Sequence, residues 1–225
     1  MDVIHYPTTA DVFSEMLKMA RMLGITDLIV LDLPPELLSP KGPPKPPTSK
    51  DSVLKSSLRV YRAVFVTPSN LSKLSNRTNQ EFVFAPPEKA CFEHPRVNGI
   101  IGAEGLMRKD RLHQRDSGIN LTLASIAGKQ KKVLLLDLAL LGTDRKQQVL
   151  GRFIQNARLA VKARVPILIV SGARTPYQMR SPTELSILAR WFGARPALTR
   201  EAETLLRSHM NSSMIFSTKD NKVYK

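Results

Sequence analysis

The stretch VPILIVSGARTPYQMRSPTELSILARWFG, residues 165–193, decides the fold class of this chain. The run from Val165 to Val170 is apolar and rich in β-branched side chains, which predicts a strand buried on both faces. Ser171 and Gly172 end this run, and a polar loop follows. Strands are buried on both faces when helices cover both sides of a parallel sheet, so the stretch indicates an α/β fold.

The second half of the stretch predicts a basic loop and then a helix. Ser181-Pro182-Thr183-Glu184 matches a capping box, with serine at the cap and proline in the first turn. The helix is expected to end at Gly193, because glycine accepts left-handed backbone geometry. Arg174 and Arg180 lie in the loop before the helix. In folds of this kind functional residues collect in the loops after the strands, so we expect both arginines to face a ligand.

Strand and helix patterns alternate along the whole chain. Apolar runs predict strands at residues 2–6, 28–33, 61–66, 81–85, 97–102, 133–136 and 165–170. Amphipathic spacing predicts helices over about 9–24, 117–129, 144–164, 181–193 and 199–209. Such alternation favours parallel pairing through right-handed crossovers. We predict a single domain, residues 1–225, that forms a TIM-like (β/α) barrel, with an open doubly wound sheet as the alternative.

A proline-rich segment interrupts this pattern at residues 34–50, PPELLSPKGPPKPPTSK, with seven prolines in seventeen residues. Proline removes backbone donors and favours extended polyproline conformations. We predict a mobile surface loop inserted into the domain. A proline-rich ligand for a partner protein is the alternative interpretation.

The charge of the chain is strongly positive and unevenly distributed. Lys and Arg number 34 against 19 Asp and Glu, a formal net charge of +15. Residues 1–94 carry 11 basic and 10 acidic residues, whereas residues 95–225 carry 23 and 9. This asymmetry predicts a polyanion-binding surface in the second part of the chain, and a solvated basic exterior is the alternative.

The cysteine content and the apolar runs limit the classes of protein to which this chain can belong. The single cysteine, Cys91, excludes an internal disulfide framework and a multi-cysteine zinc site. The sequence shows neither a secretory signal nor an apolar run as long as a membrane helix, so we expect a cytoplasmic protein without membrane contact.

Signals for catalysis are weak. The four histidines are scattered singly, and GIIGAEG at residues 99–105 has neither dinucleotide-binding nor P-loop spacing. Asp32 and Asp137 lie near predicted strand ends, and they leave open a metal-dependent phosphoesterase with a reduced site. We nevertheless expect no catalytic residue and no metal in this chain.

Nucleic-acid binding fits the composition better, through phosphate contacts rather than base stacking. Aromatic residues make up 6% of the chain, and none cluster with the basic residues. Lysine and arginine can neutralise phosphates without reading sequence. A third possibility is a basic scaffold that binds only proteins.

The order of several motifs resembles a known family. GIIGAEG, RDSGINLTLASIA at residues 115–127, a long basic helix, VPILIVSGA and MRSPTELSILARWFG follow one another over residues 99–206. Together they resemble protein component 3 of archaeal ribonuclease P, to which a subunit of the eukaryotic nuclear enzyme is related. The family often has His and Lys where this chain has Leu121 and Ser125.

The resemblance implies a barrel of the polymerase-and-histidinol-phosphatase type without its metal ligands. It also implies a non-catalytic protein subunit, which supports the catalytic RNA as this removes the 5′ leader from precursor tRNA. The implied partners are the ribonuclease P RNA and protein component 2, with precursor tRNA contacted indirectly and Mg²⁺ held by the RNA. Positions matching the family give these candidate RNA-binding residues: Arg115, Lys131, Lys132, Arg174 and Arg180. The polar surface of the long basic helix adds Arg152 as a further candidate.

Overall fold

The computed structural model describes residues 1–7, 9–33, 58–76, 81–106, 110, 116–210 and 214–217. The proline-rich segment 34–50 and the candidate Arg115 lie outside the described residues. The strands are β1 (Asp2–His5), β2 (Asp27–Leu31), β3 (Arg59–Phe65), β4 (Phe82–Ala85), β5 (Gly99–Ile101), β6 (Val133–Asp137), β7 (Ile167–Val170) and β8 (Met214–Ser217). The α-helices are α1 (Ala10–Met22), α2 (Lys89–Glu93), α3 (Ala103–Leu106), α4 (Leu121–Lys129), α5 (Lys146–Ala163), α6 (Pro182–Phe192) and α7 (Pro196–Met210). Short 3-10 helices span Pro68–Asn76, Leu138–Gly142 and Pro176–Gln178.

The first seven strands form a parallel barrel. They pair in chain order from β1 to β7, and β8 pairs antiparallel with β3. β1 and β7 are adjacent: His5 N donates to Ala173 O at 3.0 Å, and Gly172 N donates to Val3 O at 3.1 Å. These bonds nearly close the sheet, which confirms the predicted TIM-like barrel and excludes the open doubly wound alternative.

The barrel has an inner and an outer apolar layer, as strands with two buried faces require. The interior contains alternate strand residues such as Val3, Ile29, Phe84 and Leu135. The residues between them on the strands face the surrounding helices.

Helix α7 covers the N-terminal end of the barrel. Its Ala202 and Leu206 pack into the interior cluster. Its Arg207 Nη2 lies 3.2 Å from Asp27 Oδ2, and Arg59 Nη2 lies 2.5 Å from Asp27 Oδ1. Since Asp27 and Arg59 begin β2 and β3, this buried carboxylate ties α7 to the base of two strands.

Most predicted element boundaries agree with the structure. The capping box at α6 is present, because Ser181 Oγ accepts from Glu184 N at 3.2 Å and Glu184 Oε2 accepts from Ser181 N at 2.7 Å. Gly193 follows that helix with φ 93°. The predicted start of α4 at Ser117 is wrong. Asn120 caps the helix instead, as its Oδ1 accepts from Leu123 N at 2.9 Å.

Candidate functional site

The C-terminal end of the barrel holds the two aspartates considered for a metal site. Asp137 Oδ2 lies 3.5 Å from His5 Nε2, and Asp137 Oδ1 accepts from Ala139 N at 2.9 Å. Asp32 Oδ1 instead accepts from Phe65 N at 3.2 Å. Each carboxylate therefore has its own structural contacts. Among the described residues, no group of three or more His, Cys, Asp or Glu side chains is placed to hold a metal ion.

Gly172 shows how closely this end is packed. A Cβ at this position would lie 1.7 Å from Asp137 Oδ1, and the backbone has φ 57°. Both facts require glycine here. The Ser-Gly-Ala segment after β7 thus lies at the packed junction between β7, β6 and β1.

The Asp-Ser-Gly-Ile-Asn segment and GIIGAEG meet in a buried polar network. Asn156 of α5 donates through Nδ2 to Glu104 Oε1 at 2.6 Å and to Ser117 O at 3.1 Å. A Cβ on Gly118 would lie 2.3 Å from Ala103 O, so the turn packs directly on α3. Two motifs that carried the family resemblance are thus adjacent and have a structural role.

Glu104 is the acidic centre of this network. Its side chain is fully buried, and burial raises the pKa of Glu104 to about 7. Its second oxygen, Oε2, has no hydrogen-bond partner in the described part of the chain. Burial therefore favours the protonated carboxyl, and the loss of its charge lowers the cost of burying this group.

Arg152 belongs to the same network, which corrects its prediction as a surface RNA contact. It is 1% exposed. Its Nε and Nη2 donate to Asp110 Oδ1 at 3.1 and 2.8 Å, and its Nη1 donates to Glu104 O at 2.8 Å. The helix pattern placed Arg152 among polar positions, whereas α3 and Asp110 cover it in the fold.

Lys132 is also internal, which corrects its prediction in the same way. It is 3% exposed, and its Nζ donates to His94 O at 2.7 Å and to Val97 O at 2.6 Å. Burial lowers the pKa of Lys132 to about 8. The ammonium group therefore ties the start of β6 to the segment before β5 and does not reach the surface.

The other described candidates keep their charge at the surface but lie at opposite ends of the barrel. Arg174 and Arg180 follow β7 at its C-terminal end, and both are exposed. Arg180 Nη1 donates to Met179 O at 2.8 Å and to Tyr177 O at 3.1 Å, so this arginine also holds the turn before α6. Lys131 precedes β6 at the N-terminal end and is exposed. RNA contact by these residues stays a prediction.

Sequence reasoning missed three further cations near Lys131. Lys129, Lys162 and Arg164 are exposed and lie at the C-terminal ends of α4 and α5. A signal for them exists in the sequence, because residues 117–136 and 145–183 contain no Asp or Glu. Their proximity depends on helix packing, which the pattern alone does not give.

The fold of this chain is similar to that of chains in solved structures. The chain superposes on a chain of the cryo-EM structure of archaeal ribonuclease P with mature tRNA, with a TM-score of 0.64 and 18% identity. The match covers 93% of this chain and 90% of that chain. The two chains share a fold. Histidinol phosphate phosphatase from Lactococcus lactis gives a TM-score of 0.47 at 10% identity, over 92% of this chain and 93% of the phosphatase.

Sequence comparisons add little to this likeness. No protein-family model matches the chain. Human cohesin subunit SA-3 is 28% identical over 165 residues, which is 62% of this chain. The chain spans 13% of the length of that curated relative. Among the described residues, no helix is long and apolar enough to cross a membrane.

Proposed function

We propose that this chain is a non-catalytic, RNA-binding protein subunit of ribonuclease P, equivalent to protein component 3. The observation that carries the proposal is the likeness of its fold, over 93% of its length, to a chain of an archaeal ribonuclease P structure. The motif order over residues 99–206 supports the same assignment. In this proposal the chain pairs with protein component 2, and Mg²⁺ and catalysis belong to the RNA.

The electrostatics support a structural role on RNA. Exposed cations greatly outnumber exposed acids from α4 to α6, and cations near a folded RNA lower the repulsion between its phosphates. A protein subunit of this kind replaces part of the Mg²⁺ that the RNA would otherwise need. The site around Asp32 and Asp137 adds no chemical step to this proposal.

Reconstitution of the holoenzyme tests the proposal. The catalytic RNA and the other protein subunits are assembled with and without the full chain, and leader removal from precursor tRNA is measured across a Mg²⁺ titration. We expect the chain to raise the rate at limiting Mg²⁺ and to shift the half-maximal concentration downward. An unchanged rate at limiting Mg²⁺ would contradict the proposal.

A second measurement separates subunit from enzyme. The purified chain alone should release no phosphate from a phosphoester substrate, with or without added divalent metal. Turnover that disappears in an Asp137→Asn variant would instead favour the phosphoesterase.

A further inference from the structure

The C-terminal ends of α4 and α5 touch at the N-terminal end of the barrel. A Cβ on Gly128 would lie 2.7 Å from the carbonyl oxygen of Ala163, so glycine allows this approach. Lys129 ends α4, and Arg164 caps α5 directly after Ala163. Cations that are 35 positions apart in the sequence therefore flank a single backbone contact.

Four exposed cations lie within three residues of Gly128 or Ala163, and we call them the cationic ledge: Lys129, Lys131, Lys162 and Arg164. Within the described ranges, none of the four makes an ion pair or a side-chain hydrogen bond. No acidic residue is present in the sequence of α4 or α5. The ledge is thus a concentration of positive charge that the described part of the protein does not neutralise.

Two of the ledge cations lie in a backbone conformation that glycine adopts more readily. Lys131 has φ 51° and Arg164 has φ 54°, in the left-handed region where glycine is favoured. The same chain uses glycine for this purpose after α1 and α6, at Gly24 and Gly193. Favourable contact with a helix dipole explains one cation at each helix end, but not the second cation that each end carries here.

We propose that the cationic ledge binds the phosphate backbone of a folded RNA, on the face of the barrel opposite the loops of Arg174 and Arg180. This inference rests on the proposed function, and it names the surface through which the chain would contact the RNA. Phosphates within reach of lysine and arginine displace counterions, which provides affinity and position without sequence readout. Lys129, Lys162 and Arg164 thereby join Lys131 in the interface.

The test compares three full-length variants in binding to the ribonuclease P RNA transcript over a range of salt concentrations. The ledge variant carries Lys129→Gln, Lys131→Gln, Lys162→Gln and Arg164→Gln. A control of equal charge carries Lys18→Gln, Lys73→Gln, Lys89→Gln and Lys146→Gln, all at exposed positions elsewhere. A third variant carries Arg174→Gln and Arg180→Gln. Circular dichroism and thermal unfolding establish that each variant folds.

The slope of log K against log salt concentration is negative, and we expect its magnitude to fall by about three in the ledge variant. This value comes from four lost phosphate contacts at roughly 0.7–0.9 each. The control should stay within about one of the wild type. The inference is overturned if the salt slope of the ledge variant equals that of the control. It is also overturned if that slope changes less than the slope of the Arg174 and Arg180 variant does. A ledge variant that keeps its RNA affinity but no longer binds protein component 2 overturns it as well, because the ledge is then a protein interface.

The outcomes distinguish a failure of the ledge assignment from a failure of the proposed function. If the wild-type chain stimulates leader removal and the ledge variant binds RNA normally, the proposed function stands and the ledge assignment fails. If the wild-type chain neither binds this RNA nor changes the Mg²⁺ requirement, both fail.

Discussion

Replacing Arg152 with alanine should destabilise the fold. The guanidinium donates two hydrogen bonds to Asp110 and one to the carbonyl oxygen of Glu104, at 2.8–3.1 Å, and the arginine is 1% exposed. Removing one partner of a buried ion pair typically costs about 3–5 kcal/mol. The Asp110 side chain keeps 26% exposure and can be hydrated, so we expect the lower end, about 3 kcal/mol.

Urea unfolding followed by far-ultraviolet circular dichroism measures this loss. For a chain of this size a destabilisation of about 3 kcal/mol lowers the midpoint by about 1 M urea. The matched control is Arg158→Ala, an exposed arginine on the same helix, which should change stability by less than about 0.5 kcal/mol. An Arg152→Ala variant as stable as this control, but weakened in RNA binding, would refute the structural role and restore the original prediction.

Three further outcomes follow from the same structure. Burial raises the pKa of Glu104 from 4.5 to about 7, so the folded state binds this proton more tightly than the unfolded state does. The stability that this bound proton contributes is fully present below about pH 4.5 and is lost as the pH rises through 7. Between pH 5 and pH 8 the loss should be about 2–3 kcal/mol, and Glu104→Gln should abolish it, as measured by urea unfolding at both pH values. Gly118→Ala places a Cβ 2.3 Å from Ala103 O at a backbone φ of 79°, and should cost about 2 kcal/mol or more in thermal unfolding, whereas Gly142→Ala, with nothing within 4 Å, should stay near neutral. Ser181→Ala should lower stability by about 1 kcal/mol through loss of the α6 cap, and Ser181→Gly by a few tenths, in the same assay; equal losses would contradict the capping role.

The buried polar network gives a structural role to two motifs, GIIGAEG and Asp-Ser-Gly-Ile-Asn, that had indicated an RNA-binding family. Glu104, Ser117 and Asn156 are distant in sequence but share hydrogen bonds, and Gly118 allows the close approach of α3. Motifs that suggested an RNA-binding family thus include residues that shape the protein interior. Their presence supports the same fold more directly than it supports any one RNA contact.

The sequence by itself determined the order of strands and helices, the capping box at Ser181 and the overall excess of positive charge. These features are local or compositional, because hydrophobic period, cap residues and charge counts do not depend on distant contacts. It also predicted the barrel, since alternating strands and helices restrict the topology strongly.

Which cations face solvent was decided only by the tertiary structure. A sequence pattern assigns Arg152 and Lys132 to the surface because both side chains are charged. In the fold, α3 buries Arg152 and the segment before β5 buries Lys132, and each supplies a carbonyl acceptor. Lys129 and Arg164 come together because α4 and α5 touch at Gly128 and Ala163. Burial and proximity between distant segments arise from packing, and a one-dimensional pattern contains neither.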